Sequence, residues 1–318
     1  MKKYNVASLF AGVGGICLGF KNAKVDEKSF ELCFANEMDE HACETYRTNF
    51  DHELIEGDIN KLLKPEICET QTEKEYYESK RHILFDNQID VLNGGFPCQA
   101  FSIAGEQKGF EDERGNLFLS IVELINQMEQ HSQKPRILFL ENVKNLLAHD
   151  QGRTYKVIKS KLEECGYTIK EKVLNTMDYT NLPQNRERIY IIGFLNKEDA
   201  DKFKFYDNVE SVKVKKTAKD REMDILKVLD TGINFEENKE YYYTKERYPN
   251  YFNVDGINLE NEITERNQFY QCRRGMYVRK NKSNVCPTLT ANMGTGRTQC
   301  TIDTGRWWYK KTYTSRNI

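Results

Sequence analysis

The cysteine at position 98 has the setting that most suggests chemistry. It follows Pro97, at the end of a short apolar run, in the stretch "GGFPCQAF" (94–101). A free cysteine is usually a small buried hydrophobic residue. Here, however, proline fixes the backbone before the thiol, and polar residues and glycines follow it. Core packing, metal binding and nucleophilic attack are therefore the roles to compare.

A cysteine nucleophile needs thiolate character, which positive neighbours or a base provide. Arg186 and Arg188, in "QNRERIYIIG", are candidate positive charges, although surface ion pairing would also explain them. Glu141, in "FLENVKN", would lie at a strand end and could exchange a proton with a substrate; an acid at a helix start is the alternative. Residues 99–115 could form a lid that excludes water.

A glycine-rich turn follows the first apolar run of the chain. In "FAGVGG" (10–15), Gly12 and Gly14 match a nucleotide-binding turn, but Cys17 occupies the third glycine position, so a tight structural turn is the alternative. Glu37 ends the next predicted strand, where an acid commonly binds ribose hydroxyls. Together these features favour a cofactor that contains adenosine.

The pattern of apolar residues predicts alternating strands and helices. We expect strands at 4–9, 31–36, 89–95, 136–143 and 188–194, and helices at 116–128 and 154–166. This alternation predicts an α/β fold with a mostly parallel, doubly wound sheet, whose ligands bind at the carboxyl ends of the strands. The highly charged segment 60–88 interrupts the alternation, and we expect most of it to be a surface insertion. Asp58, just before it, could accept a hydrogen bond from an adenine amino group, although an exposed turn aspartate is the simpler interpretation.

Composition limits the class of protein. The chain has 318 residues, of which 30% are charged and 39% hydrophobic, and it lacks a run of about 18 apolar residues that would span a membrane. Its nine cysteines have neither CxxC nor His/Cys metal-site spacing. They predict a reducing compartment, namely the cytoplasm, without a disulfide framework or a metal site.

The composition changes after the last predicted strand, where Lys, Glu, Asn and Tyr become frequent. We therefore predict a first domain over 1–205 and a second, smaller domain over 206–318. The net charge of −2 gives no general indication of a nucleic-acid partner. The stretch "QCRRGMYVRKNK" (271–282), however, has five basic residues and no acid, which fits either a nucleic-acid contact or a solvated loop.

These motifs resemble those of the DNA (cytosine-5)-methyltransferases of bacterial restriction-modification systems. The matching stretches follow the family's order and cover most of the chain: "SLFAGVGG" (8–15), "NEMD" (36–39), "EGDI" (56–59), "GGFPCQAFSIAG" (94–105), "ENVKN" (141–145), "QNRERIYIIGF" (184–194) and "CPTLTANMGTG" (286–296). The proline-cysteine stretch followed by ENV and QxRxR is highly specific. The resemblance implies a Rossmann-like catalytic domain that binds S-adenosylmethionine and a target-recognition domain, with double-stranded DNA between them.

The resemblance also implies roles for single residues. Cys98 would add to carbon 6 of a flipped-out cytosine, so that carbon 5 accepts a methyl group, and Glu141 would bind N3 and the exocyclic amine. Asn142 would fix that loop, and Arg188 with Arg186 would steady the pyrimidine O2 or a neighbouring carboxylate and phosphate. The cofactor would contact Phe10, Gly12, Gly14, Glu37 (ribose), Met38 (adenine face), Asp58, Ile59 (adenine edge) and Pro97. DNA would contact Gln99, Ser102, Arg273, Arg274, Arg279 and Lys280.

The sequence departs from the family pattern at its end. The family's last motif, a Gly-Asn-Ser/Ala-Val segment on a helix that returns to the cofactor domain, is absent, and "KKTYTSRNI" resembles only the approach to it. A second polypeptide that supplies the motif, or a truncated chain, would explain this. On that basis the isolated chain is expected to bind S-adenosylmethionine weakly and to need a companion for full activity.

Two other functions are compatible with parts of the sequence. A nicotinamide-dependent oxidoreductase would explain the glycine turn and Glu37, but it gives no reason for Pro97-Cys98 or for QxRxR. A DNA-binding or regulatory protein without catalysis would explain the missing last motif. The cytosine methyltransferase is the only one of the three that uses all of the motifs.

Overall fold

The chain folds into two compact units. A computed structural model describes residues 2–97, 117–205, 213–214, 216–228, 242–253, 256–265, 267–273, 277–288, 298–303 and 309–311. The first unit comprises 1–173 and 188–205, and the second comprises 174–187 and 206–318. Residues 174–187 therefore belong to the second unit, whereas the sequence analysis assigned them to the first domain. None of the described helices is both long and apolar enough to span a bilayer.

The strands form one large sheet and two smaller ones. Their bounds are β1 Lys2–Leu9, β2 Lys24–Val25, β3 Lys28–Glu37, β4 Glu53–Glu56, β5 Val91–Gly94, β6 Ile137–Val143, β7 Thr168–Asn175, β8 Gln184–Asn185, β9 Glu187–Phe194, β10 Tyr242–Tyr243, β11 Phe269–Arg273, β12 Tyr277–Lys280, β13 Cys286–Pro287, β14 Thr298–Asp303 and β15 Tyr309–Lys311.

The large sheet has the order β2-β3-β1-β5-β6-β9-β7, and β4 also pairs with β3. The pairs of β1 with β3 and β5, of β3 with β4, and of β5 with β6 are parallel, whereas β9 runs antiparallel to β6. The predicted α/β class with a mostly parallel sheet is confirmed. The sequence analysis missed β7, and it did not predict the reversed direction of β9.

Helices connect the strands. Their bounds are α1 Gly15–Asn22, α2 Glu40–Asn49, α3 Ile59–Leu63, α4 Gln71–Arg81, α5 Ile83–Asp86, α6 Leu117–Gln130, α7 Arg153–Glu164, α8 Thr176–Tyr179, α9 Lys197–Lys202, α10 Ala218–Val228 and α11 Leu259–Glu262, with 3-10 turns at Pro65–Ile67, Lys144–Leu147, His149–Gly152 and Pro249–Tyr251. Helices α6 and α7 were predicted. Helix α7 ends before Gly166, whose φ of 87° lies in the left-handed region that terminates helices.

The prediction that 60–88 is mostly a surface insertion is wrong. Leu62 and Leu63 of α3, Tyr77 of α4 and Leu84 of α5 are buried in the main hydrophobic core. The charged side chains of this segment lie mostly on the exposed faces of short helices, while a few apolar side chains join the main hydrophobic core. The average polarity of residues 60–88 did not predict this burial, because an amphipathic helix needs only about a third of its positions to be apolar.

The second unit contains a five-stranded sheet of order β10-β15-β14-β11-β12 and a short parallel pair of β8 with β13. All described strand pairs of this five-stranded sheet are antiparallel. A small core of Tyr243, Tyr251, Leu259, Ile263 and Tyr270 packs together. The weak periodicity of this region did not predict these short strands.

The burial of the 60–88 segment can be tested by truncating one of its side chains. Leu62 is fully buried, so Leu62→Ala should lower the free energy of unfolding by about 2–5 kcal/mol. Ile67 in the same segment is 49% exposed, and Ile67→Ala should change it by less than about 1 kcal/mol. Denaturant titration measures both values. Equal small losses would show that the segment is a peripheral insertion after all.

Candidate active site

The glycine turn after β1 has left-handed backbone at three positions. Phe10, Gly12 and Gly14 have φ values of 53°, 56° and 91°. A Cβ atom on Gly14 would overlap the Phe50 ring, so only glycine fits there. At Gly12, by contrast, no heavy atom lies within 4 Å of the place where a Cβ would be. The turn therefore packs tightly on one side and has open space beside Gly12.

Glu37 anchors this turn from the end of β3. Its Oε2 atom accepts a hydrogen bond from the Gly12 amide at 2.7 Å, and Oε1 accepts from the amides of Met38 and Asp39 at 2.9 Å each. A carboxylate can accept about four hydrogen bonds. These three bonds fix the orientation of the carboxylate and leave it capacity for a ligand hydroxyl.

The turn after β4 is built on a tyrosine that the sequence analysis missed. Asp58 caps α3, and its Oδ1 accepts from the backbone and side-chain amides of Asn60 at 2.8 and 3.1 Å. The Asp58 amide donates to the Tyr77 hydroxyl at 2.8 Å. Gly57 has a φ of +116°, and a Cβ on it would overlap that hydroxyl. The signal for Tyr77 was its place on the apolar stripe of α4.

Met38 and Ile59 lie in different environments beside these turns. Met38 is 66% exposed, so its thioether is accessible, whereas Ile59 is buried at 2%. Burial raises the pKa of the Tyr77 hydroxyl, and the hydrogen bond that it accepts from the Asp58 amide acts in the opposite direction.

The residues before Cys98 lie beside both the glycine turn and Glu141. A Cβ on Gly94, the last residue of β5, would lie 3.2 Å from the Leu9 carbonyl oxygen and 3.7 Å from Phe10 Cδ2. A Cβ on Gly95 would lie 3.5 Å from Oε2 of Glu141. The absence of side chains at Gly94 and Gly95 thus lets this backbone lie between the two groups.

The backbone is also held by Asn142 on β6. Its Nδ2 donates to the carbonyl oxygen of Phe96 at 2.8 Å, and its Oδ1 accepts from the Val143 amide at 2.8 Å. Asn142 is 3% exposed and Phe96 2% exposed, and the Phe96 ring packs against Phe118 at 5.5 Å. The chain is therefore fixed immediately before Pro97, which is exposed.

An ion pair joins Glu141 to Arg188. The Nε atom of Arg188 donates to Oε1 of Glu141 at 2.8 Å, and the side chains are 13% and 18% exposed. Arg188 lies in register with Val143 because β9 runs antiparallel to β6. The start of β9 therefore lies beside the end of β6, and a charge-assisted hydrogen bond forms in a place of low solvent access.

The other predicted site residues belong to the second unit or fall outside the described residues. Arg186 belongs to the second unit, where its amide donates to Oδ1 of Asn175 at 3.1 Å and its carbonyl oxygen accepts from the Thr176 amide at 3.0 Å. Arg279 and Lys280 lie on β12, and Lys280 Nζ donates to Glu265 at 2.5 Å. Arg273 ends β11. The residues Cys98, Gln99, Ser102 and Arg274 lie outside the described residues.

The described turns fit S-adenosylmethionine. The open space at Gly12 admits a ligand close to the backbone, the Glu37 carboxylate has acceptor capacity for ribose hydroxyls, and Met38 is accessible to a ring. All three lie at the carboxyl ends of β1 and β3, where open α/β sheets bind ligands. Among the residues that the structure describes, no group of His, Cys, Asp and Glu side chains is arranged to hold a metal ion.

Comparison with known proteins finds close sequence relatives. The chain is 43% identical to the Type II methyltransferase M.Bsp6I of Bacillus sp. (strain RFL6) over 292 residues, which are 92% of this chain and 78% of that protein. It is also 43% identical to the Type II methyltransferase M.HaeII of Haemophilus aegyptius over 62% of this chain, but it spans only 52% of that protein. These comparisons give no support to a second polypeptide.

The fold also matches a solved structure, the methyltransferase EhMeth of Entamoeba histolytica. The TM-score is 0.52 at 19% identity, over 77% of this chain and 64% of that one, which supports a shared methyltransferase fold. The family model for C-5 cytosine-specific DNA methylases matches residues 4–317. The resemblance predicted from the motifs is confirmed: the chain belongs to the C-5 cytosine-specific DNA methylase family, whose members are enzymes.

Proposed function

We propose that this enzyme transfers a methyl group from S-adenosylmethionine to carbon 5 of a flipped-out cytosine within a specific sequence of double-stranded DNA. We further propose that it acts in the cytoplasm as the modification enzyme of a restriction-modification system. The observation that carries the proposal is the Glu141–Arg188 ion pair, which lies beside Gly95 and so beside the backbone that leads to Cys98.

Cytosine sets two chemical problems that these residues would solve. Its carbon 5 is a weak nucleophile, and within a duplex the base is inaccessible, so it must leave the stack. In the proposed reaction the thiolate of Cys98 forms a bond to carbon 6, and the π electrons of the ring move so that carbon 5 becomes nucleophilic. S-adenosylmethionine would supply the electrophilic methyl group that becomes bonded to carbon 5, and S-adenosylhomocysteine would be left as the second product. A base then removes the carbon 5 proton, and the carbon 6–sulfur bond breaks to release the thiolate.

Glu141 would stabilise the negative charge that attack by Cys98 places on the ring. A carboxyl group that holds or shares a proton at N3 and binds the exocyclic amine relieves this charge. The Nε atom of Arg188 donates to Oε1 of Glu141, and Oε2 of the same carboxyl group lies on the side of Gly95, which precedes Cys98 by three residues. Arg188 would also contact the pyrimidine O2, and we assign Arg186 a contact to a carboxylate or phosphate.

Asn142 would act on the nucleophile through the backbone. Its hydrogen bond to the Phe96 carbonyl restrains the residues just before Pro97 and Cys98. Asn142 and Glu141 are neighbours on β6. One strand therefore positions both the carboxyl group and the residues just before Cys98. Such positioning matters because small displacements of reacting groups reduce rates strongly.

The cofactor would bind along the ends of β1, β3 and β4. Phe10, Gly12, Gly14 and Pro97 would shape the pocket, Glu37 would bind the ribose, Met38 would cover the adenine, and Asp58 with Ile59 would contact its edge. The support for this arrangement is the bond from Gly12 to Glu37 and the cap that Asp58 forms on α3. Tyr77 would hold the Asp58 turn in place.

We assign target recognition to the second unit. Gln99 and Ser102 would contact the DNA near the flipped base, and Arg273, Arg274, Arg279 and Lys280 would bind guanine edges or phosphates. Lys280 already pairs with Glu265, so binding a phosphate would require it to exchange that partner.

A covalent trap tests the proposed function directly. Duplexes with 5-fluorocytosine in the target sequence cannot lose a carbon 5 proton, so with S-adenosylmethionine the enzyme should remain bound covalently. We expect a shifted band on a denaturing gel for the wild type and none for Cys98→Ser. Cys68→Ser, which changes a partly buried cysteine that contacts the core, is the matched control and should be trapped like the wild type. Trapping by Cys98→Ser, or no trapping across a full duplex library, would refute the proposal.

The role of Glu141 predicts a defect in the chemical step. Glu141→Gln should lower kcat by ~10²–10⁴-fold, because the amide cannot exchange a proton with N3, while the dissociation constant of S-adenosylmethionine stays near the wild-type value. Single-turnover methylation and calorimetry measure the two quantities. Glu129→Gln, which changes an exposed carboxylate paired with Lys134, should leave both unchanged. If kcat of Glu141→Gln lies within about threefold of the wild-type value, Glu141 does not act as an acid.

The role of Glu37 predicts a defect in cofactor binding. Glu37→Gln should raise the dissociation constant of S-adenosylmethionine at least ~tenfold, because hydrogen bonds to a charged acceptor are replaced by bonds to a neutral one. Glu31 lies on the same strand, pairs with Lys3 at 3.0 Å and is 51% exposed, so Glu31→Gln is the control. Isothermal calorimetry measures both variants, and equal affinities would remove Glu37 from the cofactor site.

A further inference from the structure

The Asn60 side chain lies between the Asp58 carboxylate and helix α6. Its Nδ2 atom donates to Oδ1 of Asp58 at 3.1 Å, and its own Oδ1 accepts a hydrogen bond from the Ser120 hydroxyl at 2.6 Å. Ser120 belongs to α6 and is 60 residues away from Asn60 in the chain. A side chain of a distant helix is therefore connected to Asp58 through one amide group. We call these two residues the Asn60–Ser120 pair.

The donors and acceptors of this pair have one consistent order. An ionised carboxylate only accepts hydrogen bonds, so the NH2 group of the Asn60 amide must face Asp58. The amide oxygen then faces Ser120, whose hydroxyl must be the donor. A reversed amide would place its oxygen against the carboxylate oxygen and would lose the bond to Asp58. The Ser120 hydroxyl therefore favours the amide orientation that serves Asp58.

Ser120 has a fixed place because α6 is packed into the core. Ser120 is 3% exposed, and its helix neighbours Phe118, Ile121 and Leu124 are each at most 1% exposed. The Phe118 ring also packs against Phe96, with ring centroids 5.5 Å apart. Interiors packed at this density resist displacement of a single side chain. The Ser120 hydroxyl is thus presented by a rigid element.

A second polar contact joins α6 to the other end of α3. Gln127 lies about two helical turns after Ser120 and therefore on the same face of α6. Its Nε2 atom donates to the carbonyl oxygen of Leu63, the last residue of α3, at 3.4 Å. Helix α3 has only five residues, and so short a helix is not stable by itself. The position of α3 therefore depends on its contacts with α6 and the rest of the core.

The Asp58 turn is also tied to the residue proposed to bind the ribose. The Gly57 amide donates to the carbonyl oxygen of Glu37 at 2.8 Å, and β4 pairs in parallel with β3 as far as Glu56 and Glu37. A ligand whose ribose is bound by Glu37 would thus have its base near the Asp58 turn. The direction of the Asp58 carboxylate then decides whether it can reach that base.

The hydrogen bonds that Asp58 accepts from described residues are both at one oxygen. Oδ1 accepts from the backbone amide of Asn60 at 2.8 Å and from its side chain at 3.1 Å. Two donors at one oxygen restrict rotation of the carboxylate, while Oδ2 keeps acceptor capacity for a ligand amino group. The backbone donor belongs to the helix cap, whereas the side-chain donor depends on Ser120.

We propose that the Asn60–Ser120 pair positions the Asp58 carboxylate to accept a hydrogen bond from the exocyclic amine of adenine, so that selectivity for a 6-aminopurine depends on α6. The inference rests on the proposed function, in which Asp58 contacts the adenine edge. A site built to accept from an amino group rejects an analogue that presents an oxygen there, because two acceptors then face each other. Loss of the positioning should therefore weaken the choice between the two purines.

Calorimetry with two purine ligands tests this role. The probes are S-adenosylhomocysteine and its 6-oxo analogue, S-inosylhomocysteine. The wild type should bind the amino compound at least ~tenfold more tightly, and Asn60→Leu should reduce this preference at least ~threefold, because leucine has a similar size but no donor. Asn5→Leu is the matched control, since Asn5 Nδ2 donates to the Gln88 carbonyl oxygen at 2.9 Å near the start of β1. It should keep the wild-type preference.

Substitutions of Ser120 separate the hydroxyl from the packing of α6. Ser120→Ala should weaken the purine preference as Asn60→Leu does. Ser120→Thr keeps the donor and should retain the wild-type preference, and a cavity of about 240 Å³ beside Ser120 and Asn60 gives room for the added methyl group. Thr154→Val is the control for loss of a buried hydroxyl, because Thr154 is 5% exposed and its Oγ1 lies 2.7 Å from Nδ1 of His149. Should Asn60→Leu not fold, the Ser120 variants decide the question.

Hydrogen–deuterium exchange of the free protein tests the link between α6 and the Asp58 turn without any ligand. Peptides that cover residues 57–64 should exchange at least ~threefold faster in Ser120→Ala than in the wild type, because local opening of α3 becomes easier. The exchange of the same peptides in Ser120→Thr and Thr154→Val should equal that of the wild type.

The outcomes distinguish the positioning role from the proposed function. Unchanged exchange at 57–64 in Ser120→Ala and Asn60→Leu would overturn the coupling of α6 to the Asp58 turn. Faster exchange with an unchanged purine preference, or an equal loss of affinity for both purines, would overturn the positioning role. A wild type that binds neither ligand would refute the proposed function, and one that binds both equally would refute the adenine contact of Asp58. In these last two cases the positioning role is refuted as well, while faster exchange in Ser120→Ala still establishes the coupling.

Discussion

The parallel pairing of β3, β1, β5 and β6 is the constraint on which the rest of the first unit depends. In this register Leu9 lies beside both Asn36 and Gly94, and Gly94 beside Leu140. Parallel strands end at the same edge of a sheet, so the turns that follow them must meet there. For this reason four groups that are far apart in sequence converge at one edge of the sheet: the glycine turn, Glu37, the residues just before Cys98, and Glu141.

Short polar contacts then fix these turns more closely than the sheet alone could. Glu37 holds the glycine turn through the Gly12 amide, Asn142 holds the Phe96 carbonyl, and Arg188 holds Glu141. The first two contacts join the end of one strand to the residues that follow another, and the third joins the adjacent ends of β9 and β6. All three are partly or fully buried. Leaving a buried polar group without a hydrogen-bond partner raises the free energy of the folded state. Each contact therefore favours a single geometry. This is the kind of preorganisation that catalysis by positioned groups requires.

The average polarity of a segment can give a wrong prediction of its burial. The 60–88 segment has many charges, yet Leu62, Tyr77 and Leu84 lie in the core and the Tyr77 hydroxyl holds the Asp58 turn. A stripe of buried side chains on short helices is a weak signal in a single sequence, because each of these helices buries only one to three apolar side chains.

The sequence by itself determined the family, the α/β class and the identity of most candidate residues, because those follow from local motifs: the glycine turn, the proline-cysteine stretch, ENV and QxRxR. Only the tertiary structure decided which of these residues meet. Arg188 reaches Glu141 because β9 runs antiparallel to β6, while Arg186, two residues earlier, belongs to the second unit. Strand direction is set by the path of the whole chain and by the burial of both sheet faces, which are long-range effects that local spacing does not encode.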